Sequence, residues 1–362
     1  MNLRLAFTVL ATVLLNATSV IAQSYPDYFI PQHLRPADPQ MAAMGLTGVA
    51  HRTGVLAAYS NPAGLAKLDE LKITYSRYPS RQYIISSIRN MYAFGQHSFA
   101  FAVPVMKNFA IGTQYWDLDF GESQTTDVNG VVTQTRDVGI RQYQFTPAVC
   151  FDAGKNNSFF VGINVKHLKY YGFTEIQGWL FDFGLRANST VGKYQLSFGT
   201  SIQNMGSELD ISFENYGISV DRFTDQIDAY RWLKIGLAFG NSEIKSPSKS
   251  AIKFLASVEY QKNLEYKIGE NWFDGVEWES LNGGLELRFL DHLFGQIGFV
   301  KDVTGNIEFL IRREGITYGF GFETPEHIHI GLPLSIAMAY GRSIHYGIFD
   351  MDVFSIILGC QL

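Results

Sequence analysis

Charge is scarce in this chain: 17% of its 362 residues are Asp, Glu, Lys or Arg, and the formal net charge is −5. With no surplus of positive charge and no basic stripe, it lacks the surface that binds polyanions, so no nucleic-acid partner is expected. Cysteine is scarcer still. Cys150 and Cys360 are the two present, too few for a disulfide scaffold. Long apolar runs are also missing. The run Leu5–Leu15 after Arg4 is too short to span a bilayer as a helix, which takes about 20 residues. With Val20-Ile21-Ala22 before Gln23 it has the layout of a secretory signal peptide, so residues 1–22 are expected to be removed on export. No apolar run of about 18 residues follows, and a crossing of the inner membrane by helices is not expected.

The motifs of common chemistries are missing too. There is no Gly-x-Ser-x-Gly elbow, phosphate-binding glycine loop, His-Glu-x-x-His or paired Cys-x-x-Cys, so no catalytic residue and no cofactor are expected. His327 and His329 would share a strand face beside Glu323 and Glu326. Thr324-Pro325 marks a tight turn there, and solvated rim histidines rather than a metal site are expected. Asp117 and Asp119 also share a face, but just before Gly121 and without the enclosure that paired carboxylates need for hydrolysis.

Present in quantity are 34 glycines, 14% aromatic residues and a period of two that starts at Leu71. Phe99, Phe101, Val103 and Val105 alternate with Ser98, Ala100 and Ala102; Trp179, Phe181, Phe183 and Leu185 alternate with Leu180, Asp182, Gly184 and Arg186. Similar alternation recurs around Phe159–Val165, Tyr194–Ile202, Leu233–Phe239, Ile252–Tyr260 and Ile316–Phe322. Such segments are strands with one apolar face. A soluble sandwich alternates as well, but its outer face is usually charged and β-branched. Here the second face is crowded with Gly, Ala, Ser, Asn and Gln, which suits the interior of a barrel whose large residues meet lipid.

The connections alternate in length. Long ones run roughly Tyr78–His97, Gly121–Gly139, Asn204–Tyr230, Lys262–Asn282 and Asp302–Gly315, and tight ones lie between them, as at Lys107-Asn108 and Leu290–His292. Long loops on one rim and turns on the other are the pattern of a bacterial outer-membrane barrel. The expected fold is all-β: a transmembrane antiparallel β-barrel of about fourteen strands over residues 69–362, in contact with outer-membrane lipid. Trp116, Trp179, Trp232, Trp272 and Trp278 fall near strand ends or in loops, as interfacial girdles or as ordinary strand aromatics. Cys150 is expected to point inward and Cys360 to lipid, with no disulfide between them.

With the aliphatic face outward, Lys166, Asp182, Arg186, Lys234, Lys253, Glu259, Glu286 and Arg288 point into the lumen. Burial without partners would be costly, so opposite charges on neighbouring strands are expected to pair and stiffen the barrel or its contents. Ahead of the barrel, residues 23–68 form a proline-rich lead-in and then an almost uncharged, small-residue stretch holding Gly45, Gly48 and Asn61-Pro62-Ala63-Gly64. This stretch is expected to be a plug inside the barrel. Its Pro-fixed turn and open glycine suit either a plug hinge that gates a path or a simple turn into the first strand.

Several of these motifs match a known family. Met44-Gly45 with Gly48-Val49-Ala50, Asn61-Pro62-Ala63-Gly64-Leu65, Val161-Gly162-Ile163-Asn164-Val165-Lys166-His167-Leu168 and Gln203-Asn204-Met205-Gly206 occur in order over nearly all the mature chain. In this the chain resembles the PorV/PorQ-type outer-membrane proteins, relatives of the long-chain fatty-acid transporter (FadL) barrels. The resemblance implies a fourteen-stranded barrel with its N-terminal segment folded into the lumen. It also implies a non-enzymatic role, either as an accessory to type IX-like secretion that meets secreted proteins or secretion components, or as a channel for hydrophobic small molecules such as fatty acids. The small, polar inward faces tilt the reading toward secretion.

Overall fold

A computed structural model describes residues 38–83, 92–126, 131–172, 174–206, 209–213, 224–227, 231–241, 252–264, 279–303, 314–324, 328–329, 333–345 and 349–361. The expected signal peptide and most of the lead-in lie outside these residues.

Strands β1 (Leu71–Tyr83), β2 (Tyr92–Met106), β3 (Phe109–Thr126), β4 (Val132–Asp152), β5 (Asn157–Tyr171), β6 (Thr174–Val191) and β7 (Tyr194–Gly206) form the first half of the wall. After a small hairpin, β8 (Leu209–Phe213) and β9 (Thr224–Ile227), the wall resumes with β10 (Trp232–Asn241), β11 (Ile252–Asn263), β12 (Glu279–Phe289), β13 (Leu293–Asp302) and β14 (Gly315–Glu323). A two-residue strand, β15 (Ile328–His329), precedes β16 (Pro333–His345) and β17 (Phe349–Cys360). All neighbours pair antiparallel, β7 joins β10 directly, and β17 returns to β1 from Leu71↔Cys360 to Arg77↔Phe354. Leaving out β8, β9 and β15, this is a closed barrel of 14 strands.

The alternation explains the wall. Phe99, Phe145, Trp179, Leu237, Phe320 and Phe354 stand exposed on the outer face, and Phe320 is 62% exposed. A belt of this size is not stable in water but is the expected surface against lipid, since a closed barrel leaves no backbone edge unpaired in the hydrocarbon. Among the described residues no helix is long and apolar enough to cross a membrane, and the chain crosses by strands. Its place is the bacterial outer membrane.

One rim carries tight turns, such as Leu290-Asp291 with φ of 51° and 64°. On the other rim, within the expected long loop Gly121–Gly139, residues 121–126 and 132–139 are strand: β3 and β4 continue as a ribbon from Gly121↔Val138 to Thr126↔Val132. Its residues have lost the apolar alternation because they have left the bilayer, while the backbone ladder goes on. Asn204–Tyr230 likewise holds the β8–β9 hairpin, which pairs with the start of β6 from Thr174 to Gln177. Of the tryptophans placed near strand ends, Trp179 faces outward, whereas Trp116 and Trp232 are buried inside the barrel. Trp272 and Trp278 lie outside the described residues. Cys150 is buried on the inner face, Cys360 is partly exposed, and both are free thiols.

Candidate functional site

The lumen holds residues 38–68. Helix α1 (Pro39–Ala43) begins on an Asp38 cap whose Oδ1 accepts the Gln40 N–H at 2.9 Å, with Pro39 at the first position, where its missing N–H costs nothing. It ends through Gly45 and Leu46, both at positive φ (68° and 65°), closed by a bond from Leu46 N–H to Met41 C=O at 2.9 Å. Arg52 returns to the start of the segment, 2.6 Å from the Asp38 carboxylate and bonded to Gln40. Two short 3-10 turns follow, Val55–Tyr59 and Pro62–Leu65.

Asn61 joins the parts. Its Oδ1 accepts the Ala63 N–H at 3.0 Å, while its Nδ2 donates to Val49 C=O at 2.7 Å and to Leu185 C=O of β6 at 3.0 Å. Pro62 sits at the first position of its turn, and Ala63 is fully buried. Gly64 packs so closely that a Cβ there would lie 2.6 Å from Arg52 C=O and 2.7 Å from Ala57 Cβ. Gly48 is enclosed in the same way by Met41 and Ser60, 2.8 Å from the Met41 Cγ.

The segment follows the inner wall largely against the order of the strands, with Val55–Tyr59 reaching across to β1, β2 and β3 before the chain returns to β6 at Asn61. Pro39 lies on Gly341 of β16, Ala43 on Gly319 of β14, and Met44-Gly45 on Gly298 of β13 and Gly284 of β12. Val49 and Ala50 lie on Gly236 of β10 and Gly199 of β7, Asn61 to Ala63 on Gly184 of β6 and Gly162 of β5, and Leu65 on Gly112 of β3. On β2 and β4 the same level is held by Ala100, Ala102, Ala148 and Cys150, which pack with Val55, Leu56, Leu65, Ala66 and Leu68. At most of these glycines a Cβ would meet plug backbone: at Gly284 it would be 2.5 Å from Met44 C=O, and at Gly162 2.5 Å from Ala63 N. The wall is thus stripped to backbone on most strands along the path of the plug, with small side chains such as Ala100 and Ala148 on others.

Polar anchors fix the seat. Glu259 of β11 accepts the N–H groups of Gly48 and Val49 at 2.7 and 2.9 Å and is bonded by Gln261 at 2.9 Å. Thr317 of β14 accepts the Gly45 N–H at 2.9 Å and donates to Ala43 C=O at 2.7 Å. Gln203 of β7 donates to the carbonyls of Tyr59 and Ser60, and Asn164 of β5 to that of Ala58 at 2.7 Å. Behind Asn164 is a buried network. Asp182 accepts from Asn164 at 2.7 Å and from the Asn204 N–H at 2.8 Å, and it pairs with Lys166 at 2.5 Å. Asn204 itself is at positive φ (58°), where the β6–β7 register shifts.

Of the eight inward charges, Lys166, Asp182, Arg186 and Glu259 cluster on the plug, Arg186 through a bond from Nη1 to Arg52 C=O at 3.0 Å. Lys234 is buried on β10 opposite Gln261 of β11, one inward position along from Glu259, which pairs with Gly236. Glu286 and Arg288 lie apart from the plug, toward the turn rim, where Arg288 bridges Glu286 (3.3 Å) and Glu323 (2.6 Å). Lys253 pairs with Asp291 at 2.6 Å on the same rim and is more than a third exposed. Among the described residues no group of three or more metal-binding side chains comes together; His327 and Glu326 lie outside them. One titratable group is left unpaired within the plug. The ring nitrogens of His51 are buried with no hydrogen-bond partner, and burial, then the guanidinium groups of Arg52 and Arg186, hold the imidazole well below its ordinary range.

On the loop-rim side of the plug the inner wall carries an aliphatic and aromatic patch, with Trp116, Leu118, Ile140, Leu168, Ile176, Leu180 and Leu209 all buried. The glycine track and this patch are the two features that sequence reading does not resolve. The signal for the first was a glycine in the inward phase of strand after strand. The second is hidden because its members alternate with outward residues that are just as apolar.

These features define an outer-membrane barrel with an internal plug. No family model matches the chain, and no curated protein does. Solved structures match its fold. The toluene transporter TbuX of Ralstonia pickettii is 11% identical with a TM-score of 0.51, over 89% of this chain and 97% of that one. A FadL homologue of Pseudomonas aeruginosa is 13% identical with a TM-score of 0.52, over 90% and 98%. The monoaromatic hydrocarbon channel TodX, as a deltaS2S3 mutant, is 11% identical with a TM-score of 0.51, also over 90% and 98%. At these identities the likeness is one of fold.

Proposed function

We propose that the chain is a conduit for hydrophobic small molecules across the outer membrane, with residues 38–68 as the element that must yield for passage. The observation that carries this reading is the apolar patch inside the wall, Trp116 to Leu209, on the loop-rim side of a plug that meets every wall strand. A buried apolar surface there gives a hydrophobic solute a place to leave water, at about 25 cal/mol per Å² removed. The fold neighbours that transport toluene and other monoaromatic hydrocarbons support the same reading over that of a secretion accessory. No catalytic residue is assigned.

A crosslink tests it. The Oγ atoms of Thr47 in the plug and Ser257 in β11 are 2.7 Å apart, close enough for cysteines at both positions to join. In a Cys150→Ala, Cys360→Ala background, the Thr47→Cys, Ser257→Cys variant should admit a fluorescent hydrophobic probe, N-phenyl-1-naphthylamine, into intact cells when reduced and lose that entry when oxidised. Equal entry in the two states, or entry no faster than in cells without the protein, would overturn the proposal.

A further inference from the structure

The inner wall on the loop-rim side of the plug is not uniformly apolar. Strand pairing sets one row across it: Ser355 of β17 opposite Ser76 of β1, Ser76 opposite Ser98 of β2, Ser98 opposite Trp116 of β3, then Gln142 of β4 and Leu168 of β5. The next row toward the loop rim runs Gln96, Leu118, Ile140, Tyr170 and Ile176. The second row changes from amide to aliphatic and aromatic groups at β3; the first passes from hydroxyls through the Trp116 indole and the Gln142 amide before it becomes aliphatic at Leu168. The polar half is buried, Ser76 at 2% and Gln96 at 1% exposure, and the Oγ atoms of Ser76 and Ser355, both amide atoms of Gln96 and the Trp116 Nε1 have no hydrogen-bond partner.

Buried polar groups are nearly always paired with protein, water or a ligand, so several that share one surface mark a place where a hydrogen-bonding molecule can be held. Neither row contains a charged side chain. Lys166, two residues along β5 from Leu168, is engaged by Asp182 at 2.5 Å and by Asn204. We infer that this face reads an amphiphile with an uncharged, hydrogen-bonding head: the head against Ser76, Gln96 and Ser355, the Trp116 N–H at the junction, and the tail over Leu118, Ile140 and Leu168. Hydroxyl and amide groups supply both donors and acceptors, which a neutral alcohol or ester head needs. A carboxylate head would meet acceptors it cannot use and, in these two rows of described residues, no cation to pair with. This rests on the conduit reading and narrows its substrate class.

The test is equilibrium binding of radiolabelled decan-1-ol, decane and decanoate to the full mature protein in phosphatidylcholine nanodiscs at pH 8, corrected with empty nanodiscs. Decan-1-ol should bind at least about tenfold more tightly than either of the others. The double variant Ser76→Ala, Gln96→Leu removes no bond made within the protein. It should cost decan-1-ol about tenfold and leave decane unchanged, and decane binding shows that the variant is folded. Decane or decanoate binding as tightly as decan-1-ol overturns the inference alone, as does a double variant with unchanged decan-1-ol affinity. Binding of none of the three overturns the conduit reading with it.

Discussion

Replace Gly199 by alanine and the new Cβ runs into the plug at Val49 C=O, with Val49 C at 2.6 Å and Ala50 Cα at 2.7 Å. All three atoms are backbone, so no side-chain rotation relieves the clash. The wall strand itself is not harmed, since alanine suits a strand better than glycine does. The strain therefore falls on the seat, and overpacking of this kind costs roughly 1–3 kcal/mol. The nearest reporters are the Gly48 and Val49 N–H groups, which donate to Glu259 at 2.7 and 2.9 Å and lose those bonds when the plug lifts. A seat weakened by that amount opens about 5- to 150-fold more often. Hydrogen–deuterium exchange of the peptide spanning Gly48-Val49, in detergent-solubilised protein, should quicken by that factor while peptides of β10 and β11 keep their protection. Gly295→Ala is the control, because a Cβ there has nothing within 4 Å. If Gly199→Ala exchanges at the wild-type rate at Gly48-Val49, or if Gly295→Ala quickens it equally, the account of the glycine track is wrong.

Asn61→Ala leaves the carbonyls of Val49 and Leu185 and the N–H of Ala63 each one partner short. It should cost about 2–4 kcal/mol of plug seating, read as faster exchange across 49–63 with the barrel still folded on a non-boiled gel. Glu259→Ala strips two plug N–H groups of their acceptor and should weaken the seat by about 2–5 kcal/mol; Glu259→Gln, which keeps an acceptor oxygen, should lose less. His51 supplies a pH dependence. Its folded value lies below the ordinary one of about 6.5, so the unfolded chain binds the extra proton first and seating weakens as pH falls through that value. The fall in thermal midpoint between pH 7.5 and 5 should be smaller in His51→Gln than in wild type, and an equal fall would rule out a contribution from His51.

The barrel was legible because one physical rule writes it into every strand. Outward positions must satisfy lipid and inward ones are free of that demand, so apolar Phe159, Val161 and Ile163 alternate with the mixed set Phe160, Gly162 and Asn164 whatever the contents of the lumen. That rule stops at the bilayer surface, which is why the polar ribbon Gly121–Thr126 with Val132–Val138 looks like a loop although its ladder continues. It also gives each inward residue a direction but no partner. The inward phase of Lys166 and Asp182 can be read from the chain. That they are 2.5 Å apart, and that Asn164 between them holds a plug carbonyl, depends on the stagger of β5 against β6 and on a segment more than 100 residues earlier in the chain.

The small inward residues show the limit most clearly. Read alone, Gly162, Gly184, Gly199 and Gly236 suit a wet lumen as well as a packed one, and that ambiguity tilted the sequence reading toward secretion. Their contacts with the plug remove it, since each would place a Cβ in an atom of residues 49–63. The direction of winding adds a constraint on assembly. The first plug residues rest on the last strands, Pro39 on Gly341 of β16 and Ala42 on Val353 of β17, while Leu65 rests on Gly112 of β3. The seat for α1 therefore does not exist until β14 to β17 are in place, although α1 is made first. A plug that completes its seat only as β17 closes on β1 couples filling of the lumen to closure of the wall. The Thr317 bonds to Gly45 N–H and Ala43 C=O, on β14, belong to that last-formed part of the seat.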